Sequence, residues 1–266
     1  MPTLEANGIR IYYELHGPPD APVLALSNGV LMSTASWAYQ TPALSRRYRL
    51  LLYDCRGMWQ SEHPPGPYSM ALHADDLAAL LDGLGIERAH IGGISYGAEI
   101  SMLFALRYPE RTRSLVLSSA VSHIEPLLDG WMRSWIAAAR ARDPELLFNV
   151  TYPLNFSAAW IAANQAALDT ARERYAALDF DAFLELLLSF SQLDITADLH
   201  RIAAPTLVIV GEEDLLKPRQ YAEIIAREIP AAELIVAPHA GHAVMWERPN
   251  LFNGLLLGFL ALQEVR

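Results

Sequence analysis

The sequence predicts an α/β fold: a mostly parallel eight-stranded sheet with helices on both faces and a helical insertion over one edge. Three observations predict it. Short apolar runs without polar alternation recur along the chain, which marks strands buried on both faces. Amphipathic helical segments alternate with those runs, the pattern of strand–helix–strand units. Between residues 122 and 199 the alternation stops and only helical segments remain.

The 266-residue chain opens with two short strands, 3–6 and 9–15, joined at Asn7-Gly8. Asn-Gly between apolar alternations signals a hairpin, because both residues tolerate positive φ. Runs at 23–27 (VLALS), 49–53 (RLLLY), 89–92, 114–118 (SLVLS), 206–210 (TLVIV) and 233–236 supply the other strands. In 70–84, Leu77, Leu80, Leu81 and Leu84 recur at helical spacing with Asp75, Asp76 and Asp82 off that stripe. A second helix over 98–108 is ended by Pro109, a third over 218–228 has Pro218 at its N-terminus, and 248–262 closes the chain. Inside the insertion, helices are expected over 127–141, 157–178 (Ser157 as N-cap) and 180–193 (Asp179 as N-cap). A stretch of roughly 75 residues exceeds a simple connection. The chain therefore divides into a core built from 1–121 and 200–266 and a helical cap, or lid, over 122–199.

Composition excludes several classes. At 52% hydrophobic and 19% charged, the chain is neither disordered nor fibrous. A formal net charge of −10 works against binding a phosphate backbone, so no nucleic-acid partner is expected. Cys55 is the single cysteine, which leaves no internal disulfide and no cysteine pair for zinc. The first twenty residues lack a secretory pattern, and no run approaches the ~20 apolar residues of a membrane span. A cytoplasmic protein is expected, with no membrane partner and with a homodimer left open.

The chemistry lies in the order of motifs. After the strand ending at Gly92 comes Gly93-Ile94-Ser95-Tyr96-Gly97, which runs into a helix. A serine on so tight a strand-to-helix turn has a strained backbone, and the neighbouring chain leaves room only for small residues two positions before and after it. Ser95 also stands at a helix N-terminus, where exposed N–H groups favour developing negative charge. A serine nucleophile needs a base, and the base an orienting acid. The strand at 206–210 leads into Gly211-Glu212-Glu213-Asp214, and the strand at 233–236 leads towards Pro238-His239-Ala240-Gly241-His242. Both loops fall at strand C-termini on the same sheet edge as Ser95, where ligands bind in open parallel sheets.

Nearly the whole chain resembles the α/β-hydrolase superfamily, most closely its short, capped esterase and lactonase branch with the 3-oxoadipate enol-lactonases. The resemblance rests on Ser27-Asn28-Gly29-Val30 through Trp37, Tyr53-Asp54-Cys55-Arg56-Gly57, GGISYG at 92–97, GEED at 211–214 and AGH at 240–242. It implies Ser95 as nucleophile on the turn called the nucleophile elbow, His242 as general base then acid, and Asp214 as orienting carboxylate. It also implies an oxyanion hole formed by the backbone N–H groups of Tyr96 and Val30. His239 lies outside the family pattern, and His16, His63, His73, His90 and His200 read as solvated or structural. Ser118-Ser119-Ala120, where some members carry the acid, holds no carboxylate. Two departures stand out: Asn28 where histidine is usual, and Trp59 where the family writes glycine. Asp54 and Arg56 read as a structural ion pair, and Cys55 as a small apolar filler.

The expected activity is hydrolysis of carboxylic esters or lactones of short to medium acyl chain through an acyl-enzyme, with no cofactor and no metal. The expected pocket is walled by Leu31, Trp59, Trp131, Trp135, Phe148, Phe156 and Trp160, with His123 where the cap opens; Trp59 either lines the entrance or packs on the cap. An acyltransferase, a cofactor-free peroxidase and a C–C bond hydrolase share these residues. A non-catalytic receptor of the same fold commonly loses a triad member, whereas here every position is filled. Serine at the elbow argues against the haloalkane dehalogenase and epoxide hydrolase branches, which carry aspartate there.

Overall fold

The computed structural model describes residues 2–230 and 232–264; Met1, Ala231, Val265 and Arg266 lie outside it. Its strands are β1 (Thr3–Ala6), β2 (Ile9–His16), β3 (Val23–Ser27), β4 (Arg49–Tyr53), β5 (Ala89–Ile94), β6 (Thr112–Ser118), β7 (Thr206–Gly211) and β8 (Ala232–Ala237). They form one eight-stranded sheet in the order β1-β2-β4-β3-β5-β6-β7-β8. β2 pairs antiparallel with both neighbours, and the remaining pairings are parallel. The β1–β2 hairpin turns at Asn7 (φ 48°) and Gly8 (φ 75°), the doubly positive turn its sequence predicts.

The helices are α1 (Thr41–Leu44), α2 (Met70–Gly83), α3 (Tyr96–Arg107), α4 (Pro126–Ala141), α5 (Pro144–Asn155), α6 (Ala158–Ala163), α7 (Gln165–Tyr175), α8 (Phe180–Phe190), α9 (Arg219–Glu228), α10 (Val244–Glu247) and α11 (Pro249–Gln263). Alternate residues of the central strands feed two core layers. Ala25, Leu51, Leu115 and Val208 pack with α2, α3 and α9 on one face. Leu24, Leu50, Val116 and Leu207 pack with α1 and α11 on the other. Both faces of the sheet are therefore dry, which is why these strands carry apolar runs rather than alternation.

Helices α4 to α8 fill the interval between β6 and β7. Two details differ from the sequence reading. The segment expected as one helix over 157–178 is two, α6 and α7, parted at Asn164, whose Nδ2 donates to the Trp160 carbonyl at 2.8 Å and competes with the helical ladder. Helix α5 is not one of the three helices expected in the insertion, and it carries Pro153 inside it; Asp143 caps its start by accepting from the Leu146 N–H at 2.9 Å, with Pro144 at the first position. Among the described residues no helix is long and apolar enough to cross a membrane.

Phe252 on α11 is 1% exposed and Leu262, ten residues on, is 62% exposed. Phe252→Ala is expected to cost about 3–5 kcal/mol of unfolding free energy, and Leu262→Ala less than about 0.5. Urea unfolding of both variants beside the parent checks this.

Candidate active site

The candidate nucleophile is positioned by steric necessity. Ser95 follows β5 directly and adopts φ 53°, ψ −122°, a conformation that costs an L-residue about 1–3 kcal/mol. A Cβ at Gly93 would collide with the backbone of Gly97, and one at Gly97 would collide with the Ser27 carbonyl, so both positions exclude a side chain. The strain is held by backbone bonds on both sides: the Ser95 N–H donates to Ser118 O at 2.8 Å, and the Ser95 carbonyl accepts from Ala98 N at 2.8 Å. Residues 96–107 continue as α3, so Ser95 stands half-buried at the helix N-terminus.

The acid and the histidine lie at the C-terminal ends of β7 and β8. His242 Nδ1 and Asp214 Oδ2 are 2.9 Å apart, with the Asp214 side chain fully buried. The other carboxylate oxygen, Oδ1, accepts the Lys217 N–H at 2.8 Å. The His242 carbonyl accepts from Ser119 Oγ at 2.8 Å, which fixes the loop that carries the ring. Neighbouring bonds tie this loop to the insertion: Ala243 N–H donates to Asn155 O at 2.9 Å, and Glu247 accepts from both Gly241 N and Ser157. His239, by contrast, is exposed.

The loop after β3 is anchored by Asn28, which is completely buried. Its Nδ2 donates to the Tyr53 carbonyl at 3.0 Å, and its Oδ1 accepts from the Trp37 indole N–H at 2.8 Å. Among the described residues the backbone N–H groups of Val30 and Tyr96 have no acceptor.

A cavity of about 120 Å³ opens over Ser95 and His242. Of the pocket residues expected from sequence, Leu31, Trp59, Trp135, Phe148 and Phe156 line it. His123, Trp131 and Trp160 do not. His123 bonds to Thr196 at 3.2 Å and packs its ring against Tyr221; Trp131 packs half-buried against the larger core layer. Trp160 stands behind the wall, stacked on Phe156 at 4.1 Å between ring centroids. Trp59 both lines the cavity and lies 4.5 Å beneath the Arg174 guanidinium. Tyr152, one of the aromatics in which the insertion is rich, also lines it, as do Arg174, Asn155 and Trp246, which nothing in their local sequence marked.

Two charge pairings depart from the sequence reading. Arg56 is not paired with Asp54; its guanidinium makes a two-pronged contact with Asp76 at 2.7 and 2.8 Å. Asp54 instead accepts from Thr34 N at 2.9 Å and Gln60 N at 3.1 Å, and burial pushes its carboxyl up to about 6. The second pairing was not expected: Lys217 Nζ lies 2.9 Å from Glu99 Oε2, with both side chains buried. Burial pulls the Lys217 ammonium down and pushes the Glu99 carboxyl up, against their mutual attraction. Cys55 is a buried free thiol that burial pushes up to about 12, so it stays protonated near neutral pH.

The chain matches the family described as alpha/beta hydrolase fold over residues 22–249. It belongs to that family. A protein of Caulobacter sp. (strain K31) named "Putative carbamate hydrolase RutD" is 32% identical over 94% of this chain and 96% of its own. The crystal structure of MGS-M2, an enzyme from a Medee basin deep-sea metagenome library, superposes with a TM-score of 0.93 at 31% identity, covering 98% of this chain and 97% of that one. The enol-lactonase from Burkholderia xenovorans LB400 superposes with a TM-score of 0.92 at 28% identity, covering 98% and 100%. Family and relatives together support a hydrolase.

Glu99→Gln would leave the buried Lys217 charge uncompensated and is expected to cost about 3–5 kcal/mol, while Glu99→Gln combined with Lys217→Met regains most of it. Denaturant midpoints of the parent, single and double variants check this. A second expectation concerns His73, fully buried and bonded to the Tyr96 hydroxyl at 2.8 Å. Burial holds it at about 3, below its ordinary 6.5. Its neutral form therefore contributes stability that is complete above pH 6.5 and is lost as pH falls towards 3, with a slope of up to about 1.4 kcal/mol per pH unit. Urea unfolding at pH 7, 6 and 5 should show His73→Gln with a correspondingly shallower loss than the parent.

Proposed function

We propose that the protein is a serine hydrolase of carboxylic esters or lactones with short to medium acyl chains, working through an acyl-enzyme. The observation that carries this reading is the strained Ser95 at the head of α3, opening on the same cavity as a histidine whose Nδ1 meets a buried carboxylate.

In the proposed sequence, His242 removes the proton from Ser95 Oγ as that oxygen attacks the carbonyl carbon. The carbonyl oxygen becomes an oxyanion held by the Val30 and Tyr96 N–H groups, which have no other acceptor to give up. The carbon–oxygen bond to the leaving group then breaks, and His242 passes its proton to the departing alkoxide. Water repeats the attack with His242 as base, releasing the acid and returning the proton to Ser95. Asp214 holds the ring so that Nδ1–H faces it and Nε2 is left for this shuttle, and it stabilises the imidazolium. In this reading the chemistry needs no metal and no cofactor, and the protein works in the cytoplasm. The cavity supports an apolar substrate, since most of its walls are aliphatic or aromatic. A carbamate carbonyl is open to the same attack, and the name of the Caulobacter relative places carbamates in the test panel.

p-Nitrophenyl acetate and butyrate should be turned over by the parent, with kcat/KM about 10³-fold or more lower in Ser95→Ala and His242→Ala. Equal rates for parent and Ser95→Ala would remove the serine from the chemistry, and inertness of the parent on esters, lactones and carbamates alike would remove the reading.

A further inference from the structure

Ser95 stands where two cavities meet. Beside the one of about 120 Å³ lies a second of about 30 Å³, and Ser95, Val30, Trp135 and Leu216 line both. The remaining walls divide the two cleanly. His242 lines the larger only; Tyr96 and Lys217 line the smaller only. On the proposed reading, this division orients the substrate. A leaving group must depart next to the group that protonates it, so it lies on the His242 side. The acyl substituent must take the other direction from the carbonyl carbon, towards Tyr96.

We propose that the large cavity holds the leaving-group arm and the small one the acyl group, so that the preferred substrates are esters or carbamates with a very short acyl part and a bulky apolar alcohol part. The inference rests on the function proposed above and goes beyond it by assigning the arms.

The volumes set the scale. The cavity on the Tyr96 side has about 30 Å³ against about 120 Å³ on the His242 side, so the acyl arm is the more tightly limited of the two. An acetyl, propionyl or carbamoyl group fits.

The small cavity also resists widening, because its polar walls are fastened. Lys217 is bound to Glu99 at 2.9 and 3.0 Å and lies 4.7 Å over the Phe190 ring. The Tyr96 hydroxyl is bonded to His73 at 2.8 Å and lies 3.4 Å from Ser189 Oγ. The Trp135 indole N–H donates to Val150 O at 3.2 Å. Moving any of them leaves a buried polar group without its partner. Leu187 and Met132 are among the apolar walls, which have no such ties, and both are buried.

The test is a two-way ester panel on the full-length protein. One series varies the acyl chain from acetyl to octanoyl on a fixed ethyl alcohol; the other varies the alcohol from ethyl to octyl on a fixed acetyl group. Expected is a fall in kcat/KM of about tenfold or more between propionyl and hexanoyl, with no loss, or a gain, along the alcohol series. Leu187→Ala, or Met132→Ala if the first does not fold, should move the acyl optimum to longer chains and leave the alcohol profile as it was. A parent that accepts octanoyl esters while rejecting octyl acetate would reverse the assignment, and equal tolerance in both series would dissolve it. In either case turnover that still requires Ser95 leaves the proposed function standing. Inertness of the parent on every ester fails that function and this inference with it.

Discussion

The close approach of the start of α3 to the end of β3 is the constraint on which the rest depends. At Gly97 the backbone of the helix lies against the Ser27 carbonyl so tightly that not even a methyl group fits. This proximity forces Ser95 into its strained turn, and the turn in turn sets the direction of the helix from the sheet. The same contact places the start of the 28–32 loop beside the helix, and Val30 and Tyr96 both line the smaller cavity at Ser95. A cost of about 1–3 kcal/mol is small beside the burial on both faces of β5 that holds it. Rigid surroundings are what allow the strained conformer to persist.

Around that turn, buried charges join loops that are remote in sequence. Glu99 sits one helical turn after Ser95, accepts the Val121 N–H at 2.8 Å and binds Lys217. Lys217 is three residues beyond Asp214 and donates its own N–H to that carboxylate. The nucleophile helix, the segment after β6 and the acid loop are therefore joined by one connected set of bonds. Glu247 performs a comparable task on the far side, holding the histidine loop against the entry of α6 through Gly241 and Ser157. Ion pairs this deep gain little net stability over apolar substitutes. The effect of the Glu99–Lys217 pair is geometric, since it fixes the relative position of segments 118 residues apart.

What was legible in the sequence follows from how local the cause is. The hairpin at Asn7-Gly8, the apolar strands and the G-x-S-x-G turn are each dictated by residues within a few positions, and the family resemblance added the loops bearing Asp214 and His242. The misreadings share a different origin. Asn164 parts α6 from α7 through its own side chain, where a single helix over 157–178 was expected. Arg56 has Asp54 two residues away but binds Asp76 across the core, because the Asp54 carboxylate is already surrounded by donors from the 28–34 loop and Gln60. Glu99 and Lys217 are 118 residues apart, and neither looks unusual in its own segment. Among the aromatics, sequence supplied a rich insertion but not its inside and outside: Phe156 faces the cavity while Trp160, stacked on it, does not.

The charge balance at Ser95 follows from the same arrangement. Glu99 and Lys217 offset one another, and the buried Asp214 faces His242. In the proposed mechanism the tetrahedral state adds one positive charge on the imidazole and one negative charge on the oxyanion. The first arises against Asp214; the second arises at the N-terminus of α3, where unpaired N–H groups and the helix dipole favour it. Neither new charge requires a wall to move, because the groups that receive them are already fixed by bonds made on folding. Arg174, by contrast, is exposed, and among the described residues its guanidinium is held only by the face of Trp59 and a 3.2 Å bond to Ser33. The cavity is thus stiff where charge develops and looser where the far arm of a substrate would lie, the division expected of a site that fixes the reacting carbonyl and tolerates variety beyond it.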